Sequence, residues 1–448
     1  MNANPRLVAV LTLCELAKTR QPVSAVFDRV GQQAGLGRQD RQLAMKIVYG
    51  VLRNRDYLDR LLELLCRQPL VKLKPFVHQA LRSGLFQIFF LDRVPPSAAV
   101  NETVKAVKAR QYPPWLQGFV NGVLREAIRR KQQLPVPEEP DDEGRPLLNH
   151  PVWLTDRWQK KYGRDEMVRI CRHNNREPLL CLRVDSDSDR DKVRESLRRQ
   201  GIDAVYGSYA PESLVLPDYR GKIDDLEGID QGIVQVQDQA AQLASLLLAP
   251  FSPGLSCLDG CAGLGGKTTH LLSLMDGATC SITAVEPDGR RYRLLQQNLQ
   301  RRHQHGVVKL HNQSLQEFAE ARSAAFDRII IDAPCSGTGV IGRHPDIRWS
   351  RREGELEGYA ARQLELLNLA AALLVPGGIL VYATCSIEAE ENERLVEQFL
   401  TENNDLHRTD CGARLPSSCK NLIRDGYFAP LPDRGIDGFF CARLSKKR

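Results

Sequence analysis

Ile329-Ile330-Ile331-Asp332-Ala333-Pro334-Cys335-Ser336-Gly337 runs from three β-branched apolar residues straight into an aspartate, a proline and a small-residue turn. Gly378-Ile379-Leu380-Val381-Tyr382-Ala383-Thr384-Cys385-Ser386 repeats the pattern, with its cysteine 50 positions beyond the first. Apolar runs of this kind, without polar alternation, read as strands buried on both faces of a parallel sheet. In open α/β sheets the carboxyl ends of such strands are where ligands bind and chemistry is done. A free cysteine is most often a buried small hydrophobe. Two thiols at matching strand ends, one beside Asp332, point instead to a two-cysteine active site.

Outward from these strands, the chain from about Asp238 alternates strand and helix. Strands are expected at Ser256–Leu258, Ser281–Val285, Val307–His311, Arg328–Ile331 and Ile379–Ala383, and helices at Lys267–Met275, Arg290–Arg302, Tyr359–Leu374 and Glu390–Leu400. That order predicts a doubly wound, mostly parallel sheet over 236–448. Upstream, Leu179–Val184, Arg190–Gln200, Ala204–Tyr206 and Leu214–Leu216 read as strand, helix, strand and strand, a small α+β domain placed at 148–235. Residues 1–132 carry apolar residues at three- and four-residue spacing, as in Leu81, Leu85 and Ile88, and read as an all-α bundle. Between bundle and α+β domain, 133–147 is rich in proline and acid without apolar period, and is expected to be a linker.

The chain has 448 residues, enough for two or three domains, and a net charge of +7. Residues 1–132 hold 22 Lys/Arg against 9 Asp/Glu, a net of +13, which leaves −6 for the remainder. A basic module on a mildly acidic body suits docking to a polyanion, nucleic acid above all. The twelve cysteines are scattered, without C-x-x-C pairs or zinc-type Cys/His spacing, so reduced thiols and no metal are expected. No signal-peptide pattern and no run of about 18 apolar residues is present. A cytoplasmic protein, away from membranes and monomeric, is the expectation.

The loop after the first expected strand of the sheet is Gly260-Cys261-Ala262-Gly263-Leu264-Gly265-Gly266-Lys267. Small residues there let backbone approach a ligand, and the following helix starts with free N–H groups. A phosphate-binding loop would need glycine at 261, where the chain has Cys261. A dinucleotide fingerprint fails on its third glycine. Glu286 ends the next strand, where a carboxylate accepts both hydrogen bonds of a ribose diol. A glycine loop with an acidic second strand tip suits S-adenosylmethionine, as in methyltransferases of this architecture.

Cys-Ala-Gly-Leu-Gly-Gly-Lys (261–267), Asp-Ala-Pro-Cys-Ser-Gly-Thr-Gly (332–339), Arg-His-Pro-Asp-Ile-Arg-Trp (343–349), Tyr-Ala-Thr-Cys-Ser (382–386) and Asp-Gly-Phe-Phe (437–440) together resemble the Nol/Nop/Sun RNA cytosine-5-methyltransferases. Val48-Tyr49-Gly50-Val51-Leu52-Arg53, Arg93-Val94-Pro95 and Phe119-Val120-Asn121 are similar to a NusB-type RNA-binding domain. The resemblance covers nearly the whole chain. It implies a NusB-like bundle, a Rossmann-like methyltransferase domain, S-adenosylmethionine as cofactor and 16S rRNA, naked or partly assembled, as partner. The chain departs from the family at Gly263-Leu264, where Ala-Pro is commoner, and at His311-Asn312-Gln313-Ser314, where an acidic residue near the adenine is usual and Gln313 is the substitute candidate.

Cytosine carbon 5 is a poor nucleophile and needs covalent addition at carbon 6, for which a thiolate is suited. The resemblance makes Cys385 that nucleophile and Cys335 the residue that aids product release. From the residues alone the roles stay open, because DNA cytosine-5-methyltransferases attack with a Pro-Cys cysteine like Cys335. Asp332 is expected at the cytosine N3/N4 edge. Cofactor contacts are expected from Cys261, Ala262, Gly263, Leu264, Gly265, Gly266, Lys267, Glu286, Gln313 and Asp332. Arg343-His344-Pro345-Asp346 has the charge to meet RNA backbone, or to lie solvated. Asn101, Arg93 and Arg125 carry no assigned role. The same chemistry on tRNA, a non-catalytic rRNA-binding assembly factor and a P-loop nucleotidase are the alternatives.

Overall fold

The computed structural model describes residues 4–140, 144, 146–185, 188–275, 280–302, 307–320, 325–432 and 435–448. These fall into two compact units, one of residues 1–177 with 341–351 and the other of 178–340 with 352–448. Residues 141–143 and 145 of the expected linker lie outside the described residues.

The first unit is helical: α1 Pro5–Leu16, α2 Val23–Ala34, α3 Arg38–Arg53, α4 Arg55–Leu65, α5 Pro75–Phe90, α6 Pro96–Ala109, α7 Pro114–Arg129, α8 Val152–Tyr162 and α9 Arg164–Asn175. Helix starts follow the local chemistry. The Asn4 side chain accepts from the Arg6 and Leu7 amides to cap α1, and proline opens α5, α6 and α7, where a missing N–H costs nothing. Each helix buries one stripe; in α7 it is Leu116, Val120, Val123, Leu124 and Ala127. The stripes of α1–α7 meet in a single core with Val8, Phe27, Ile47, Leu58, Leu61 and Leu81. The described start of the linker is pinned to α4, with Tyr57 Oη donating to Pro135 O at 3.0 Å.

The second unit opens with a four-stranded antiparallel sheet of β1 Leu180–Val184, β2 Val205–Tyr206, β3 Ser213–Leu216 and β4 Val234–Val236, in the order β2-β3-β1-β4. Helix α10, Arg190–Arg199, closes one face by burying Leu197 against Leu182, Leu214 and Leu216. Strand, helix, strand and strand follow one another here as the sequence predicts, while 148–177 of the expected α+β domain, with α8 and α9, fall in the helical unit.

The larger sheet follows α11, Gln239–Leu246. Its elements in chain order are β5 Ser256–Asp259, α12 Gly266–Leu274, β6 Ser281–Val285, α13 Gly289–Arg301, β7 Val308–His311, α14 Leu315–Glu320 and β8 Phe326–Asp332. The short α15 Ile347–Ser350 belongs to the helical unit, and then come α16 Leu356–Leu373, β9 Leu374–Thr384, α17 Glu393–Glu402, β10 Leu406–Thr409, β11 Ile423–Arg424, β12 Tyr427–Phe428 and β13 Phe440–Lys446. The strand order is β11-β12-β13-β9-β8-β5-β6-β7, with β10 also on β13. Pairs β9–β8, β8–β5, β5–β6 and β6–β7 are parallel, as the apolar runs predict. The antiparallel addition of β13 to β9, with Phe440 opposite Thr384, is new relative to the sequence expectation. Strand order reverses between β5 and β8, which opens a crevice at their carboxyl ends.

Candidate active site

Every expected site residue lies at that carboxyl edge. The loop after β5 bends through left-handed backbone at Gly263 (φ 57°) and Gly265 (φ 86°), conformations that favour glycine. A Cβ on Gly263 would touch nothing within 4 Å, so the loop shows bare backbone to open space there. Leu264 beside it is exposed, Ala262 is buried and Cys261 is half-buried, its thiol pushed up by burial. Glu286 follows β6 and is 3% exposed. Its Oε2 accepts from the Gly263 amide at 2.9 Å and its Oε1 from the Asp288 amide at 2.8 Å. Each oxygen keeps a second lone-pair site, so the carboxylate is oriented and still able to accept from a diol. Asn312, after β7, donates to Glu286 O at 2.8 Å, and the neighbouring Gln313 is half-buried.

Lys267, in the first turn of α12, turns away from this loop. Its Nζ lies 2.5 Å from Asp332 Oδ2 at the end of β8, and 5.4 Å from the Phe439 ring centroid. Burial works against the Lys267 charge, but the Asp332 carboxylate, helped by Asp259, more than offsets it and raises the ammonium above its ordinary value. Behind it, burial pushes the Asp259 carboxyl up to about 6 while the Thr268 hydroxyl donates to it at 2.7 Å. Lys267 therefore couples the end of the glycine loop to Asp332 at the end of β8.

The two cysteines meet. Cys335 Sγ and Cys385 Sγ are 3.2 Å apart, both half-buried and neither in a disulfide. Hydrogen bonding to Cys385 raises the Cys335 thiol well above its ordinary range, with burial and the nearby Glu391 and Asp332 charges acting in the same direction. Cys335 is thus held as a thiol.

What holds the pair is a group the motif reading missed. Glu391, fully buried just before α17, accepts from the Ser336 amide at 2.8 Å, from Ser336 Oγ, from Ser386 Oγ at 2.6 Å and from Gln363 Nε2 at 2.9 Å. One carboxylate therefore binds the residue after each cysteine. Burial raises Glu391 above the ordinary carboxylate range, opposed by these donors. Its sequence signal was a pair of acids close behind Cys385-Ser386 in an otherwise buried stretch. The Asp437–Phe440 motif also gains a role. Gly438 N donates to Gly339 O at 2.9 Å and Gly339 N to Cys385 O at 3.0 Å; a Cβ on Gly339 would sit 2.2 Å from Gly438 O. Only glycine permits that approach, which presses the start of β13 onto the Cys335 loop.

In Arg343–Asp346, His344 is exposed and Arg343 half-buried, whereas Pro345 and Asp346, like Arg348, are buried within the helical unit, where Val23 N donates to Asp346 Oδ2 at 3.2 Å. Asn101, Arg93 and Arg125 are exposed and make no side-chain hydrogen bond among the described residues.

Three family models match along the chain: the NusB family over residues 3–129, the RsmF/B-like ferredoxin-like domain over 150–220 and the 16S rRNA methyltransferase RsmB/F over 245–445. The ribosomal RNA small subunit methyltransferase B of Sodalis glossinidius is 36% identical over 449 residues, 99% of this chain and 98% of its own length. The chain belongs to the RsmB/F family. The probable ribosomal RNA small subunit methyltransferase B of Bacillus subtilis is 32% identical over 99% of this chain and 98% of its own. The crystal structure of PH0851 superposes with a TM-score of 0.78 at 25% identity, covering 99% of each chain. The RsmB/F methyltransferase match takes in the glycine loop, Glu286, Asp332, both cysteines and Glu391.

Proposed function

We propose that the chain transfers a methyl group from S-adenosylmethionine to carbon 5 of a cytosine in 16S rRNA through a covalent adduct between Cys385 and carbon 6. The observation that carries this is the 3.2 Å approach of two thiols at the ends of neighbouring parallel strands, beside Asp332. The cofactor, when bound, supplies an electrophilic methyl. The bare backbone at Gly263 and the oriented Glu286 carboxylate suit its ribose and amino-acid parts, with Cys261–Gly266 as the cradle and Gln313 beside the base.

In this reading the Cys385 thiolate forms a bond to carbon 6, and the ring electrons move to carbon 5 and N3. Asp332, held by Lys267, faces the N3/N4 edge and stabilises the charge that develops there. Once carbon 5 carries the methyl, a water molecule accepts the carbon 5 proton, the C–H electron pair re-forms the 5,6 double bond, and the carbon 6–sulfur bond breaks with Cys385 leaving as thiolate. Cys335, a proton-bearing thiol beside the leaving sulfur, assists that release. A cytosine in a duplex must be unstacked to reach the half-buried sulfurs. Residues 1–132 dock the RNA, 148–235 support the glycine loop and 236–448 carry the chemistry; the protein acts as a cytoplasmic monomer.

The test uses wild-type, Cys335→Ala and Cys385→Ala proteins with small-subunit rRNA and methyl-labelled cofactor, read by denaturing gels and nucleoside analysis. A protein–RNA adduct trapped in Cys335→Ala and absent in Cys385→Ala is expected. The reverse pattern swaps the roles. Tight binding without label in any RNA overturns the catalytic reading in favour of an assembly factor.

A further inference from the structure

Residues 64–91 and 103–125 contain no Asp or Glu, yet they carry Arg67, Lys72, Lys74, Arg82, Lys105, Lys108, Arg110 and Arg125, of which Arg82 pairs with Asp59 and Lys105 with Glu102. Parts of these two acid-free stretches meet in the helical unit. Lys74, before α5, lies with its Nζ 5.4 Å from the Tyr112 ring centroid, and the Arg110 guanidinium lies 5.9 Å from the Phe76 ring. The Phe76 and Tyr112 rings are 5.5 Å apart. Lys72, Lys74, Lys108 and Arg110 are exposed, and none has a carboxylate partner among the described residues. Trp115 stands three positions after Tyr112, at the start of α7, and is 67% exposed while its neighbour Leu116 is buried in the core. A large indole left in water costs stability, and the 103–125 stretch that carries it holds cations and no acid. That pairing of aromatic surface with uncompensated positive charge is what unpaired nucleic acid needs, since a base stacks on the ring and its phosphates meet the cations.

Resting on the rRNA reading above, we infer that this face holds an unpaired stretch of the RNA substrate, with one base on Trp115 and the flanking phosphates on Lys72, Lys74, Lys108 and Arg110. Charge complementarity favours RNA over a protein occupant. An apolar protein contact would need a wider apolar surface, and an acidic peptide would leave Trp115 without a stacking partner.

The full-length protein is titrated with a labelled single-stranded RNA of about a dozen nucleotides, and with a duplex of the same length, across a salt series. Wild type should prefer the single strand and show quenched tryptophan fluorescence on binding. Trp115→Ala should weaken single-strand binding about tenfold and lose the quench, and Trp115→Phe should recover most of the affinity. Lys74→Ala with Arg110→Ala should flatten the slope of log K against log salt by about 1.4. Far-ultraviolet circular dichroism and denaturant unfolding verify that the helical unit of each variant is folded. Wild-type affinity and slope in both variants would overturn the inference. So would equal affinity for the duplex, or loss of binding only to assembled small-subunit particles, which would assign the face to a protein. Failure of wild type to methylate any RNA would instead strike the functional reading and leave this binding test standing.

Discussion

At the residue scale, the site depends on a carboxylate that touches neither expected substrate. Glu391 satisfies four donors at zero exposure, two of them on Ser336 and one on Ser386, so both cysteine turns are referred to one point. Glutamine at 391 keeps the shape, but its amide nitrogen cannot accept, so at least one serine donor loses its acceptor. Glu391→Gln is expected to lower the rate of adduct formation at saturating RNA while cofactor affinity stays near wild type. Single-turnover adduct assays beside cofactor titration check this. Glu391→Ala, which strips all four donors, should cost about 3 kcal/mol of stability, measured by denaturant unfolding. The cysteines, Asp332 and Glu286 were legible in the sequence because each sits at the end of a strand that its own apolar run announces. Glu391 was not, because its partners lie up to 55 positions away and nothing local separates it from the neighbouring Glu388, Glu390 and Glu393.

At the scale of elements, α4 and α5 are tied by one ionic cluster. Asp59 accepts from Arg82 Nε at 2.7 Å and lies 2.9 Å from His78 Nε2. Burial alone would raise the Asp59 carboxyl, but the His78 and Arg82 hydrogen bonds more than offset it and bring it down to about 2. A carboxyl depressed on folding adds stability above its unfolded value of about 4, lost as the pH falls through about 2. Asp59→Asn should therefore cost about 2 kcal/mol at pH 7 and close to nothing near pH 2. Urea unfolding of both proteins across that range tests the sign. The parallel strands themselves were readable, from Ser256–Asp259 to Leu374–Thr384, within a few residues at each end. β13 was not: Phe440–Lys446 alternates weakly, and its pairing to β9 depends on a partner some 60 positions earlier in the chain.

At the scale of the molecule, the chain leaves the Cys335 turn and sends 341–351 into the helical unit before resuming at Arg352. Arg348 anchors that excursion. Fully buried, it donates to Asn149 O at 2.9 Å, Asn175 Oδ1 at 2.7 Å and Asn174 O at 2.8 Å, and Trp349 Nε1 donates to Leu52 O at 2.8 Å. Burial brings the Arg348 guanidinium down to about 9. Arg348→Ala takes the donor from two buried carbonyls and from the half-buried Asn175 Oδ1, and should lower stability by about 2–4 kcal/mol. Trypsin should then cut faster at Arg343, Arg351 or Arg352, as limited proteolysis with mass spectrometry would reveal. By itself the sequence determined the helical, α+β and parallel α/β segments, the glycine loop and the two cysteine-bearing strand ends, because periodicity and backbone conformation are set by a residue and its chain neighbours. The tertiary structure alone decided the 3.2 Å meeting of the sulfurs, the donors gathered on Glu391 and the burial of Arg348. Each of these joins groups 50 or more positions apart, and a buried charge is tolerated only where such distant partners converge on it.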